Sequence, residues 1–324
     1  MLLIVAAFAL TAAFALVVAL ASGSVAISVP TVVRALGGEG ADTTVAIVRE
    51  LRLPRALAAF AVGGLLAFAG ALLQVLLRNP LADPYVLGIS GGAAVAALSA
   101  MLWGLAAAVM PAAFVGALTS TLIVFGLSRA GGTQSPWTAT RLLLTGIVVA
   151  AGWGALIALL LAVAPDAQVK GMLFWLIGDL SFAATSLLPW CVLAVAGGVG
   201  LALARDLNVL ARGEELAVTL GVAVPRVTLL LHALAALATA AAVTVAGSIG
   251  FVGLVVPHAV RMIVGNDHRV LIPAAVLAGG ALLVLADTLA RTLVAPLQLP
   301  VGVITALVGV PAFLFLLTRS GARG

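Results

Sequence analysis

The hydrophobic pattern along the chain is a train of apolar runs, each about 20 residues long, the length that spans a bilayer. Each run is closed by a charged residue or a break rich in proline and glycine. Ten such runs can be drawn, near 2–22, 54–77, 86–107, 110–128, 142–164, 183–204, 226–246, 248–264, 271–290 and 300–318. Leu, Ala and Val fill them without the apolar/polar alternation of barrel strands. Backbone groups in lipid must be bonded within the protein. The pattern therefore predicts an all-α polytopic membrane protein of about ten transmembrane helices, in one domain covering 1–324. The third and fourth runs, and the seventh and eighth, are the least clearly divided, because little polar sequence lies between them. The first run ends at "ALASGS", which has the outline of a signal-peptide cleavage site. It lacks a basic n-region and more spans follow, so it reads as the first helix.

Composition agrees. Hydrophobic residues make up 64% of the 324 positions and charged residues 8%, with a mean hydropathy of +1.30; a soluble domain carries roughly 25% charged residues. The net charge of +5 does not point to nucleic acid, because the basic residues are scattered over loops. Sorted over ten spans with the N-terminus inside, Arg78, Arg129, Arg141, Arg205, Arg212, Arg226, Arg261, Arg269, Arg319 and Arg323 fall inside. Arg34, Arg49, Arg52, Arg55, Lys170 and Arg291 fall outside. This bias predicts a bacterial inner-membrane protein with both termini in the cytoplasm. The outer segment 23–53 runs against the trend, with "RELRLPR" placing three arginines at the mouth of the second span.

Several chemistries are excluded. Lys170 is the only lysine and follows no glycine-rich turn, so the chain has no phosphate-binding loop of its own. His232, His258 and His268 are separated and lack cysteine company, and Cys191 is single. No catalytic residue, cofactor or metal ligand is predicted. Acidic residues sit at loops or span ends, and Gln74 is the most polar residue well inside a span. An ion-coupled transporter needs a buried ionisable group, and none is visible.

Two further patterns bear on architecture. "ALAAFAVGGLLAFAGALLQVLLRNP" (56–80) lies over "ALAALATAAAVTVAGSIGFVGLVVP" (233–257) at a constant offset. A repeat five spans apart is inverted in the membrane, as in many transporters, although alanine identities arise easily in so alanine-rich a chain. Gly88 and Gly92, and Gly247, Gly250 and Gly253, have spacings that allow close helix packing. At "GSIGFVGLVVPH" a broken helix is the competing reading. On the inner side, 204–226 is the longest polar stretch. Asp206 is placed to cap one short helix, and Glu214 and Glu215 open another that stops at Gly221. Short charged helices that do not cross the membrane suit a docking surface for a soluble partner; a plain connecting loop is the bland alternative.

"RLPRALAAFAVGGLLAFAGALLQVLLRNPLADPYVLGISGGA", "GSIGFVGLVVPHAVRMIVGNDHRVLIPAAVLAGGALLVLADTLAR" and "LPVGVITALVGVPAFLFLL" together closely resemble the iron-chelate and cobalamin permeases of ATP-binding-cassette importers, the FecCD group. The likeness runs from about position 52 to the C-terminus. Within the group the chain is most similar to bacterial haem permeases. The resemblance implies the type II importer permease fold, a homodimer with the substrate path on its two-fold axis, two ATPase subunits that bind ATP and Mg on the cytoplasmic face, and a periplasmic substrate-binding protein outside. It implies that Arg52, Arg55 and Arg291 receive carboxylates of that binding protein, in the bidentate manner a guanidinium allows; membrane anchoring by snorkelling is the alternative. Arg49 lies outside the family pattern. It implies that "GEELAVTLG" is the coupling helix, with Glu214, Glu215, Leu216, Leu220 and Gly221 facing the ATPase. It implies a cytoplasmic gate at Ala139 and Thr140, where Ala139 departs from the hydroxyl residue of the cobalamin member. Spans five and ten would line the path with apolar walls, 143–163 and 301–316, that a large chelate does not stick to. His258 reads as structural. A ferric siderophore or cobalamin are alternative substrates to haem. An ion-coupled transporter and a scaffold without transport are the rivals from other classes.

Overall fold

The structure is a computed structural model and describes residues 2–129, 139–181, 183 and 186–320. Every described element is helical. In chain order the helices are α1 (Leu2–Ala21), α2 (Val29–Leu36), α3 (Asp42–Ala46), α4 (Leu53–Leu76), α5 (Ile89–Leu102), α6 (Val109–Arg129), α7 (Ala139–Val163), α8 (Asp166–Ile177), α9 (Leu188–Ala202), α10 (Ala204–Leu210), α11 (Glu214–Thr219), α12 (Val224–Ala246), α13 (Val252–Val264), α14 (His268–Thr292) and α15 (Val301–Ser320). Each of the ten expected spans holds one of them: α1, α4, α5, α6, α7, α9, α12, α13, α14 and α15. The end of the bundle that carries Arg55 is termed outer, after the charge-based orientation.

Helix α4 forms the centre. Almost all its residues from Arg55 to Val75 are buried, packed by α14, α12, α13, α9 and α1. Alanine and glycine make this possible. A Cβ on Gly63 would overlap the Gly279 carbonyl of α14, and one on Gly70 would overlap the Gly253 carbonyl of α13. The backbones therefore touch where a bundle of larger residues would stand apart. Gly92 of α5 meets Gly116 of α6 in the same way.

Three spans are shorter than the sequence predicts: α9 has 15 residues and turns into α10 at a 61° bend, and α5 and α13 are shorter still. Helices α5 and α13 have 14 and 13 residues, about 20 Å at 1.5 Å per residue, against roughly 30 Å of hydrocarbon. Ahead of α5, residues Pro84–Leu87 wind as a tight 3₁₀ turn that ends at Gly88 in the left-handed conformation. Ahead of α13, Ala246 ends α12 and the chain is unwound to Phe251. Both half-helices are the third span of their half of the chain, where paired broken helices are expected in repeat-built transporters. The two breaks also meet. Asp83 accepts from the Tyr85 amide at 2.8 Å, and the Tyr85 hydroxyl accepts from Ile249 N at 3.0 Å. Gln74, 3% exposed, donates to the Leu254 carbonyl at 3.1 Å. The broken-helix reading of "GSIGFVGLVVPH" is thus the observed one, with close packing at Gly253 besides.

Candidate functional site

At the outer end, Asp287 holds two of the arginines that drew attention in the sequence, Arg55 from 232 residues away and Arg291 from four. Arg55, in the first turn of α4, places Nε and Nη2 on the Asp287 carboxylate of α14 at 3.0 and 2.7 Å. Its remaining Nη1 donates to Gln298 Oε1 at 2.8 Å. Arg291, one helical turn beyond Asp287, pairs with the same carboxylate at 3.1 Å and reaches the Ala19 carbonyl at 3.3 Å. Arg52 donates to the carbonyls of Leu20 and Val25. Two guanidinium groups thus cover the last carbonyls of α1, where the helix leaves unpaired acceptors and partial negative charge. Gly23 gives Arg52 the room, since a Cβ there would come within 2.7 Å of Nη2.

The three arginines do share one layer, but as internal braces. Arg52 is 5% exposed, Arg55 8% and Asp287 1%. In the isolated subunit the rim expected from the sequence is therefore mostly covered, because the α1 carbonyls and Asp287 use the donors first. Arg34 and Arg49 are the arginines bare to the outside. The network continues through Gln298. Ser181 Oγ lies 3.2 Å from the same Oε1 and 2.7 Å from Asp179 Oδ1. Asp179 N donates to the Ala246 carbonyl at 2.9 Å, and Gly302 N to the Gly178 carbonyl at 3.2 Å. The outer starts of α4 and α15 and the outer ends of α8, α12 and α14 are joined here.

At the inner end, α10 and α11 fold as two short helices. Asp206 lies within the first turn of α10 and does not cap it; the cap position is Leu203. Glu214 and Glu215 open α11, and Gly221 follows it with φ +80°. Leu216, Val218 and Leu220 are exposed, whereas Ala217 is buried against the bundle. Glu214 pairs with Arg78 at 3.1 Å, a surface contact on both sides and so of small energetic weight. Ala139 and Thr140 begin α7, with Thr140 exposed; the Ala139 side chain and Thr138 lie outside the described residues.

A clamp unseen in the sequence fixes this end. Asn208 of α10 donates to Asp267 Oδ1 at 2.8 Å and accepts from the His268 amide at 2.8 Å, with His268 Nδ1 at 2.7 Å. Since the amide oxygen can only accept, His268 carries its proton on Nδ1. The Asn208 amide, then the Arg269 backbone N–H, hold the Asp267 carboxyl below its usual range. A lowered carboxylate contributes stability that is complete above the ordinary value near 4 and fades as pH falls through the lowered one. Asn208→Ala is expected to lose about 1 kcal/mol at neutral pH, since Asp267 is exposed and water screens its charge, with a smaller deficit near pH 3. Thermal unfolding in detergent at both pH values measures the difference.

Helix α7 is the least covered of the long helices, and α15 is open over its inner half. Almost the whole length of α7 is open, tied to the bundle by Trp153 Nε1 donating to Ser120 Oγ at 2.8 Å. Leu307, Val308, Val310, Leu314 and Phe315 of α15 are exposed. Among the described residues, no group of three or more His, Cys, Asp or Glu side chains could hold a metal ion.

Comparison with known proteins agrees with this layout. Residues 10–319 match the FecCD transport family. The cobalamin import permease BtuC of Halobacterium salinarum is 47% identical over 87% of this chain and 76% of its own. The hemin transport permease HmuU of Yersinia pestis is 45% identical over 83% of this chain and 82% of its own. A solved inward-facing structure of a metal-chelate type ABC transporter superposes with a TM-score of 0.87 at 28% identity, covering 98% of this chain and all of the other. With a helix in each of ten apolar runs, an inner short-helix pair and a family match that runs nearly end to end, the chain belongs to the FecCD transport family.

Proposed function

We propose that this permease subunit of an ATP-binding-cassette importer carries a large metal chelate, haem first among the candidates, across the bacterial inner membrane into the cytoplasm. The relatives named for hemin and for cobalamin support a chelate of this size. Two copies pair through the uncovered α7 and the open inner half of α15, which line the path with apolar side chains. Ala139 and Thr140 narrow its inner exit. A periplasmic binding protein meets the outer face above Arg52, Arg55 and Arg291. Separate ATPase subunits hold ATP and Mg.

The observation that carries the ATP-driven reading is α11. Leu216 and Leu220 stand bare beside Glu214, Glu215 and Gly221, on a helix too short to enter the membrane. An apolar ridge with a charged base suits the groove of a soluble partner. The ion-coupled alternative lacks support: Asp287, the buried acid of α14, is already held by two guanidinium groups.

The test is haem uptake in proteoliposomes with ATPase and binding protein present. ATP-dependent uptake is expected, falling at least tenfold in a Leu216→Asp/Leu220→Asp variant that still assembles in the membrane. Uptake driven by an ion gradient without the ATPase would overturn the reading.

A further inference from the structure

Gln298 occupies a place that the arginine motif does not explain. It sits three residues before α15, in the outer turn after α14, and its side-chain oxygen takes the one Arg55 nitrogen that Asp287 leaves over. A guanidinium can only donate, so the oxygen, not the amide nitrogen, must face Arg55. The same oxygen lies against Ser181, in the turn that follows α8. That turn is joined to α15 itself through Gly178 and Gly302. A Cβ on Gly302 would overlap the Ile177 carbonyl, so the α15 start and the α8 end are pressed together. One neutral side chain therefore connects Arg55 to the outer ends of two elements beside the proposed path.

We propose that Gln298 is a positioning residue that transmits binding-protein docking to the outer ends of α15 and α8. The proposal rests on the docking role of Arg55 given above. The bonds of Arg55 are unequal. Those to Asp287 join opposite charges through two nitrogens, whereas the single bond to Gln298 joins a charge to a neutral amide and lacks the ion-pair attraction. A carboxylate arriving from the binding protein takes Nη1 from Gln298 while Asp287 keeps its two nitrogens. Arg55 stays anchored to α14, and the turn before α15 is released. The contact between the α15 start and the Gly178 turn then loses one of its ties, and the outer mouth opens only when a binding protein is seated.

The experiment uses the reconstituted transporter with its ATPase in liposomes, and the parent and Gln298→Leu forms. Two quantities are read: binding-protein affinity, and the fold stimulation of ATPase by saturating binding protein. Gln298→Leu is expected to keep affinity within about twofold, raise basal ATPase and bring stimulation close to one. Ser181→Ala, which leaves the Arg55–Gln298 bond in place, is expected to lower stimulation only partly; it also serves if Gln298→Leu assembles poorly. Parent-like stimulation in both variants overturns the proposal. Unchanged binding-protein affinity in a conservative Arg55→Lys form overturns the docking role of Arg55 instead, so the two failures are told apart. A purely structural Gln298 would lower thermal stability and basal ATPase together, the opposite of the expected rise.

Discussion

Asp287→Ala is expected to cost about 3–5 kcal/mol, among the largest losses of any single substitution in this chain. The carboxylate is 1% exposed and holds Arg55 by two nitrogens and Arg291 by a third. Its removal leaves two guanidinium groups in a covered apolar layer with carbonyl and amide oxygens as their remaining acceptors. Breaking such a pair costs more than the pair contributes, since the surviving charge has lost its solvent as well as its partner. Asp287→Asn keeps an acceptor oxygen and should be milder. The double variant Asp287→Leu/Arg55→Met should recover part of the loss, because its members share one network and do not add. Thermal unfolding of the detergent-solubilised protein reads all three, with a fall of roughly 10 °C expected for alanine. Parent-like stability of Asp287→Ala would mean that water reaches this layer and screens the charges.

The same network changes how docking can be tested. Charge reversal at Arg52 or Arg55 would place an acid beside the α1 carbonyls or beside Asp287. Such a variant loses docking because the outer layer rearranges, whatever the arginine does for a partner. Arg34 and Arg49, which are exposed, can be reversed without this confusion.

How much of this was legible in the sequence differs from feature to feature. The ten spans were, since each is a continuous apolar run, and the outer arginines were, since they break the charge rule. Arg291 and Asp287 announced their pairing by four-residue spacing. Arg55 could not, because its partner lies 232 positions away. Asp287 lies near a span end in the sequence, and its place as a buried hub is hidden for the same reason. The length of α5 and α13 was hidden because apolar composition does not record whether backbone is wound. The two overlaid segments show why. Gly70 and Gly247 lie opposite each other in the overlay, yet α4 runs on through Gly70 while α12 stops before Gly247. Gly70 is pressed against Gly253 and stays helical; Gly247 takes φ +66° against the Trp175 carbonyl and breaks the helix. The letters agree and the contacts decide. Asn208 gave no signal at all, since a lone asparagine in a polar loop looks like any other.

Gly70→Val is expected to abolish assembly of the protein in the membrane. At this point α4 and α13 cross with backbone against backbone, and any Cβ on Gly70 would fall inside the contact radius of the Gly253 carbonyl, carbon and Cα. Neither side can yield by rotating a side chain, because the atoms in the way are backbone. Relief requires α13 to move as a body. Helix α13 is fixed at its start by the bonds of Gln74 to Leu254 and of Tyr85 to Ile249, so that movement would strip Gln74, already without a partner for Oε1, of its remaining bond. Overpacking ordinarily costs about 1–3 kcal/mol where side chains adjust, and a backbone clash in a closely packed core exceeds it. Gly70→Ala should already fail, which separates this site from an ordinary helix glycine. Gly197→Ala on α9, where an added Cβ meets nothing within 4 Å, should be neutral or gain up to about 1 kcal/mol from helix propensity. Expression of the two alanine variants as monodisperse material in detergent gives the comparison. Equal yields would show that the α4–α13 crossing is looser than the contact of Gly70 with Gly253 implies, and that α13 docks after the rest of the bundle has formed.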